Sequence, residues 1–150
     1  MVPALSGLGA PHWRPDARGL ISGISFATTR AHLVRAALEA QAHQIHDLMK
    51  AFAADGEQWE RLRIDGGMVA NNWLAQDLAD ILDLVVERPA MVETTALGAA
   101  MLAAVGSGIY PDLGAAAAAM GGEVTRFEPQ MSESDRQRRL DGWNSALRLA

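Results

Sequence analysis

Cysteine is absent from this 150-residue chain, which excludes disulfides and thiolate metal sites and suits a reducing cytoplasm. An excess of positive charge is also missing: Lys and Arg number 13 against 18 Asp and Glu, for a net charge of -5. With both signs interspersed, there is no basic face to follow a nucleic-acid backbone. No run approaches the roughly 18 uninterrupted apolar residues of a membrane span, and the N-terminus has no basic segment followed by a hydrophobic signal core. What the chain does have is apolar content, 49% of its residues, enough for one sizeable core at a length typical of a single domain. The expectation is a soluble, cytoplasmic, single-domain chain over residues 1–150, binding neither nucleic acid nor membrane.

Met1-Val2-Pro3-Ala4 leads directly into the loop-like Ser6-Gly7-Leu8-Gly9-Ala10-Pro11-His12-Trp13. No element precedes it to open a fold, so the chain is expected to start inside a longer one. Between Arg18 and Ser25, Leu20, Ile21 and Ile24 lie between glycines, which predicts a strand with a close-packed or kinked middle. Thr28 or Thr29 can then cap a helix in which Val34, Leu38, Gln41, Ile45, Leu48 and Phe52 recur at helical spacing, ending near Ala54 before Asp55-Gly56.

Leu62-Arg63-Ile64, Asp65-Gly66-Gly67 and a helix opened by Asn71-Asn72, with Leu74, Leu78, Ile81 and Leu82 on one side, read as strand, glycine turn, helix. A strand over Leu84-Val85-Val86 stops before Pro89. The small-residue run from Thr94 to Met101 predicts a helix that must pack closely. Ala115 to Ala119 predicts a short surface helix, followed by a loop through Gly121-Gly122 and Pro129. Ser132 with Asp135 resembles a capping box, and Leu140, Trp143 and Leu147 give the last helix one apolar stripe. This alternation predicts an α/β fold with a mixed sheet and flanking helices.

The stretch from Ile64 to Asn72 is the most informative. Paired glycines at a strand end let backbone approach a ligand, and the following helix N-terminus favours anionic groups; a plain tight turn with an asparagine cap explains the same residues. The stretch has neither the lysine of a phosphate loop nor the three-glycine spacing of a dinucleotide-binding turn.

Gly7 through Trp13, Pro15-Asp16-Ala17-Arg18-Gly19, Ile64 through Asn72, Glu87-Arg88-Pro89 and Glu93 through Ala100 together resemble, in order and spacing, the successive motifs of the glycerol kinases, members of the FGGY carbohydrate kinase family. The resemblance covers nearly the whole chain. It implies the later part of the second domain of an actin- and hexokinase-like (ribonuclease-H-type) kinase, hence a partial C-terminal domain over residues 1–150. It further implies an ATP-dependent, Mg²⁺-using polyol kinase in which Gly67 and Asn71 match positions that contact the adenine nucleotide (ATP or ADP), with Gly66 and Met68 beside them. The family's aspartate base, most of its Mg²⁺ environment and its polyol-binding residues lie upstream of these motifs, so no catalytic residue is expected here and the chain alone is expected to be inactive. Xylulose and gluconate kinases, or a non-catalytic nucleotide-binding module, are the competing readings. His12 stands where glycerol kinases often carry tyrosine, and a homo-oligomer is a possible assembly.

Several further residues invite a chemical role and have a structural alternative. Asp65 at the strand end is expected to bond the amides of its own turn. His43 and His46 lie three apart on a helix beside Asp47, yet no third ligand stands at suitable spacing, and with Glu39 they read as a solvated polar face. Trp13 and Trp59 are expected to pack against core or glycine-rich backbone, and the small face of Thr95, Gly98 and Ala99 to pack against another element, which is compatible with its forming a wall of the nucleotide cleft.

Overall fold

Thr29 opens the longest helix of the chain: its backbone N–H donates to Nδ1 of His32 at 3.1 Å, satisfying a group the first turn would otherwise leave unpaired. The computed structural model describes every residue from Met1 to Ala150, and this helix, α1, spans Arg30–Ala54. Strand β1 (Arg61–Arg63) follows, then a 3₁₀ turn at Gly67–Ala70, helix α2 (Asn72–Leu82) and strand β2 (Val85–Pro89). Helices α3 (Thr94–Gly106) and α4 (Leu113–Met120), strand β3 (Val124–Phe127) and helix α5 (Glu133–Leu147) complete the order. No helix is long and apolar enough to cross a membrane.

The sheet runs β1-β2-β3. The first pair is parallel, with Leu62 opposite Val86, and the second antiparallel, with Val86 opposite Phe127, so the sheet is mixed as expected. Parallel pairing needs a crossover, and α2 supplies it. Its apolar stripe follows from the sequence spacing: Leu74, Leu78, Ile81 and Leu82 are buried against Val86, Ile64 and Val69 from the sheet side and Ala42 of α1. Each such leucine contributes roughly 1.5–3 kcal/mol on burial. A second core gathers Val2, Ala4, Leu8 and Ala17 against Ala40 of α1 and Trp143, Ala146 and Leu147 of α5. The α5 stripe and the Ser132 cap, which accepts from the Asp135 N–H at 3.2 Å, form as read.

Three expectations about elements are corrected. Arg18 to Ser25 is not a strand: only Leu20 bridges, to Val2, because Gly23 turns to φ +76° and no neighbouring strand supplies a ladder. Ile21, Ile24 and Phe26 are left exposed. The segment after Gly122 is not all loop, since β3 pairs there with β2; its exposed Val-Thr-Arg residues hid a strand that apolar alternation alone does not reveal. β2 continues to Pro89, which is tolerated as the closing residue, where a missing N–H costs little.

The helix α3 lies against α4, yet close packing of its small face is not found. The helix buries no residue, Thr95 and Ala99 are exposed, and a Cβ added at Gly98 would meet nothing within 4 Å. A run of small residues permits close approach without compelling it.

Candidate nucleotide-binding turn

The turn between β1 and α2 is held from three sides. The Ile64 N–H donates to the carbonyl of Glu87 and that of Gly66 to the carbonyl of Val92, both at 2.9 Å, fixing the end of β1 to β2 and to the segment beyond it. Gly66 takes φ +90°, ψ 170°, a conformation open essentially to glycine alone. The chain then tightens into the 3₁₀ turn, where the Val69 N–H reaches the Gly66 carbonyl at 3.2 Å. Asn71 caps α2, its Oδ1 accepting from the Trp73 N–H at 2.9 Å, as its residue type promised.

The outer surface of this turn is free. A Cβ at Gly66 or Gly67 would meet no atom of the chain within 4 Å, and Met68 and Asn71 are exposed. The N–H groups of Gly67 and Met68 donate to no acceptor within the chain. The turn therefore presents unpaired backbone donors, a thioether and the remaining amide hydrogens of Asn71, with no charged side chain among the four residues.

Asp65 does not bond the amides of its own turn. Its carboxylate accepts from the Thr94 hydroxyl at the start of α3, a partner 29 residues away that no local rule names. A cleft of about 490 Å³ opens beside it, lined by Arg63, Asp65, Glu87, Thr94 and residues of α3 and α4. It stops at Asp65: Gly66, Gly67, Met68 and Asn71 lie outside its walls. No three His, Asp or Glu side chains of the chain converge to hold a metal ion.

Away from the turn, the reading of Glu39, His43, His46 and Asp47 as a solvated face is corrected. His43 is buried and stacked on Trp143, with ring centroids 5.4 Å apart and planes 9° from parallel. Asp47 Oδ2 takes the Trp143 Nε1–H at 2.7 Å and lies 2.8 Å from Nε2 of His12. His46 Nδ1 is 3.9 Å from the same carboxylate and has no hydrogen-bond partner. These residues join α1 to α5 and to the N-terminal loop. Trp59 packs on Phe52 at 5.6 Å as expected, whereas Trp13 is 74% exposed and joins neither core. Sequence reasoning missed Arg88, whose guanidinium reaches the Val69 carbonyl at 2.7 Å, although its period-two spacing from Val86 puts both on one face of β2.

The model of the FGGY family of carbohydrate kinases, C-terminal domain, matches residues 1–107. Glycerol kinase from Rhodospirillum centenum is 52% identical over 148 residues, covering 99% of this chain and 30% of that protein. Glycerol kinase from Gluconobacter oxydans is 48% identical over 149 residues, covering 99% and 29%. Among solved structures, Plasmodium falciparum glycerol kinase with ADP is similar at a TM-score of 0.84 and 38% identity, over 98% of this chain and 29% of that one. A xylulose kinase from Rhodospirillum rubrum, 24% identical with a TM-score of 0.70 over 98% and 30% of the two chains, shares the fold. The chain thus spans about 30% of the length of the curated relatives it matches. Its mixed sheet with flanking helices, its ordered motifs and these likenesses agree: the chain belongs to the FGGY family of carbohydrate kinases, matching that family's C-terminal domain, with its actin- and hexokinase-like fold.

Proposed function

We propose that this chain forms part of the adenine-nucleotide site of an ATP-dependent glycerol kinase, which converts glycerol and ATP to glycerol 3-phosphate and ADP. The observation that carries the reading is a coincidence: the chain is similar along almost its whole length to a glycerol kinase solved with ADP, and its glycine turn presents free N–H donors on an unobstructed surface. Glycerol is favoured over a sugar such as xylulose because, among solved structures, identity is 38% to a glycerol kinase and 24% to a xylulose kinase.

In this reading Gly67 lets the nucleotide approach the backbone with no side chain between them. Asn71 spends one lone pair of Oδ1 on the helix cap and keeps its NH₂ to donate, Met68 offers an apolar edge to the base, and Gly66 sets the path of the turn. Phosphoryl transfer rests on positioning and charge neutralisation. Bound Mg²⁺ supplies the neutralisation, and no group in this chain is assigned to hold it or to act as base. The extent of the domain over residues 1–150, a cytoplasmic setting and any homo-oligomer belong to the same proposal.

The test is a titration of the chain with Mg-ADP, followed through the amide resonances of Gly66, Gly67, Met68 and Asn71. Saturable shifts confined to this turn and α2 are expected. Binding that moves other residues and leaves these four untouched, or no shift up to millimolar nucleotide, would overturn the assignment.

A further inference from the structure

The outer surface of the glycine turn is open, so its shape must be imposed from behind. Arg88 does this. It stands on β2, on the face it shares with Val86, and its guanidinium reaches across to the turn. Nη1 donates to the Val69 carbonyl at 2.7 Å and Nη2 to Oδ1 of Asn72 at 2.8 Å. The two acceptors bracket Ala70 and Asn71, so one planar fork spans the junction between the 3₁₀ turn and α2. The fork is itself held: its central carbon lies 5.1 Å from the centroid of the Phe127 ring on β3.

We infer that Arg88 is a positioning residue for nucleotide binding, fixing the Gly67–Asn71 turn from its inner side without touching the ligand. This inference rests on the nucleotide reading above. Three observations support it. The Val69 carbonyl belongs to a short 3₁₀ turn, where backbone bonds are few and of poorer geometry, so an added bond from Arg88 weighs more than it would in a helix. Both bonds are charge-assisted and come from one rigid group, so they fix an angle as well as a distance. Gly66 and Gly67 also have the largest conformational freedom in the segment, and no side chain of their own restrains them.

A lysine at this position offers a single point charge that can reach one acceptor at a time. Arg88→Lys should therefore retain part of the effect and Arg88→Ala none.

The experiment compares the chain with its Arg88→Ala and Arg88→Lys variants in two measurements. Arg138→Ala serves as control, since it removes an exposed ion pair with Asp135 within α5, away from the turn and from α2. The first measurement is Mg-ADP affinity. Arg88→Ala is expected to weaken it about ten-fold, with Arg88→Lys between, Arg138→Ala unchanged and the far-ultraviolet circular dichroism of all variants preserved. The second is amide hydrogen exchange of Val69 to Trp73 without nucleotide. It should rise in Arg88→Ala and stay level in α5. Native affinity in Arg88→Ala overturns the inference. If the unaltered chain binds no ADP, the nucleotide reading fails on its own, and exchange alone then decides whether Arg88 holds the turn: unchanged protection in Arg88→Ala overturns that as well.

Discussion

The Trp143 indole N–H and the Asp47 carboxylate meet at 2.7 Å across 96 residues of sequence, joining the last helix to the first. His12 shares the same oxygen at 2.8 Å, so one half-buried carboxylate ties down α5 and the N-terminal loop together. Burial pushes the Asp47 carboxyl up, but the polar neighbours His46, Trp143 and His12 more than offset it and hold it below its ordinary value of 3.8.

From this follows a graded loss of stability. Asp47→Ala strands the Trp143 and His12 donors and should cost about 1–3 kcal/mol. Asp47→Asn keeps an acceptor for Trp143 and should cost clearly less. Urea denaturation at neutral pH measures both, and equal losses would show that the charge, and not the accepted hydrogen bond, is what matters. Because the folded pKa of Asp47 is depressed, its contribution is present above pH 3.8 and is lost as the pH falls below it.

His43 should make the acid limb of stability steeper. Burial first, then the charges of Arg139, the chain's amino terminus and His46, lower its pKa from 6.5 to about 4, against a small opposing pull from Asp47. The folded state therefore refuses a proton that the unfolded chain accepts. Stability is full above pH 6.5 and falls as the pH drops toward 4, by up to about 3 kcal/mol. His43→Phe keeps a ring on Trp143 and removes the titration. Its midpoint of denaturation should vary less than the native one between pH 6.5 and 4, and identical pH slopes would refute the assignment.

Arg139 grips Asp77 with both terminal nitrogens, at 2.5 and 2.9 Å, and this pair fastens α5 to the buried side of α2. Asp77→Ala removes both hydrogen bonds and leaves the guanidinium only Glu39, 3.7 Å from Nη2, so it should cost about 1.5–3 kcal/mol, whereas replacing Asp77 and Arg139 together with apolar residues should cost much less. A double-mutant cycle by chemical denaturation reads the difference. Additive losses would mean that the pair does not act as a unit.

What the sequence made legible is what short spacing carries. The α2 stripe, the Asn71 and Ser132 caps and the strand–glycine–helix unit all depend on residues within a few positions of one another, and all formed as read. The misses are long-range. Asp65 bonds Thr94, Asp47 bonds Trp143 and Arg88 bonds Val69, pairings that only the folded topology brings together. The Arg18–Ser25 segment failed for a related reason: apolar residues between glycines suit a strand, and a strand also needs a neighbour. His43 and Asp47 seemed solvated because α1 alone cannot show that α5 covers them.

The glycine turn separates folding from binding at adjacent positions. Gly66, at φ +90°, should lose about 1–3 kcal/mol of stability on replacement by alanine, because the new side chain strains the backbone. Gly67→Ala places a methyl where nothing lies within 4 Å, so the fold should keep its stability to within about 0.5 kcal/mol while ADP binding weakens. Asn71 needs a finer instrument, since alanine there also removes the helix cap, at about 1 kcal/mol. Asn71→Ser preserves a capping oxygen and deletes the NH₂ donor. Paired thermal melts and ADP titrations of the three variants should therefore show a stability defect in Gly66→Ala and binding defects with native melting in Gly67→Ala and Asn71→Ser. If Gly67→Ala and Asn71→Ser both bind like the native chain, the nucleotide does not approach this surface, and the turn is only the tight connection that its glycines permit.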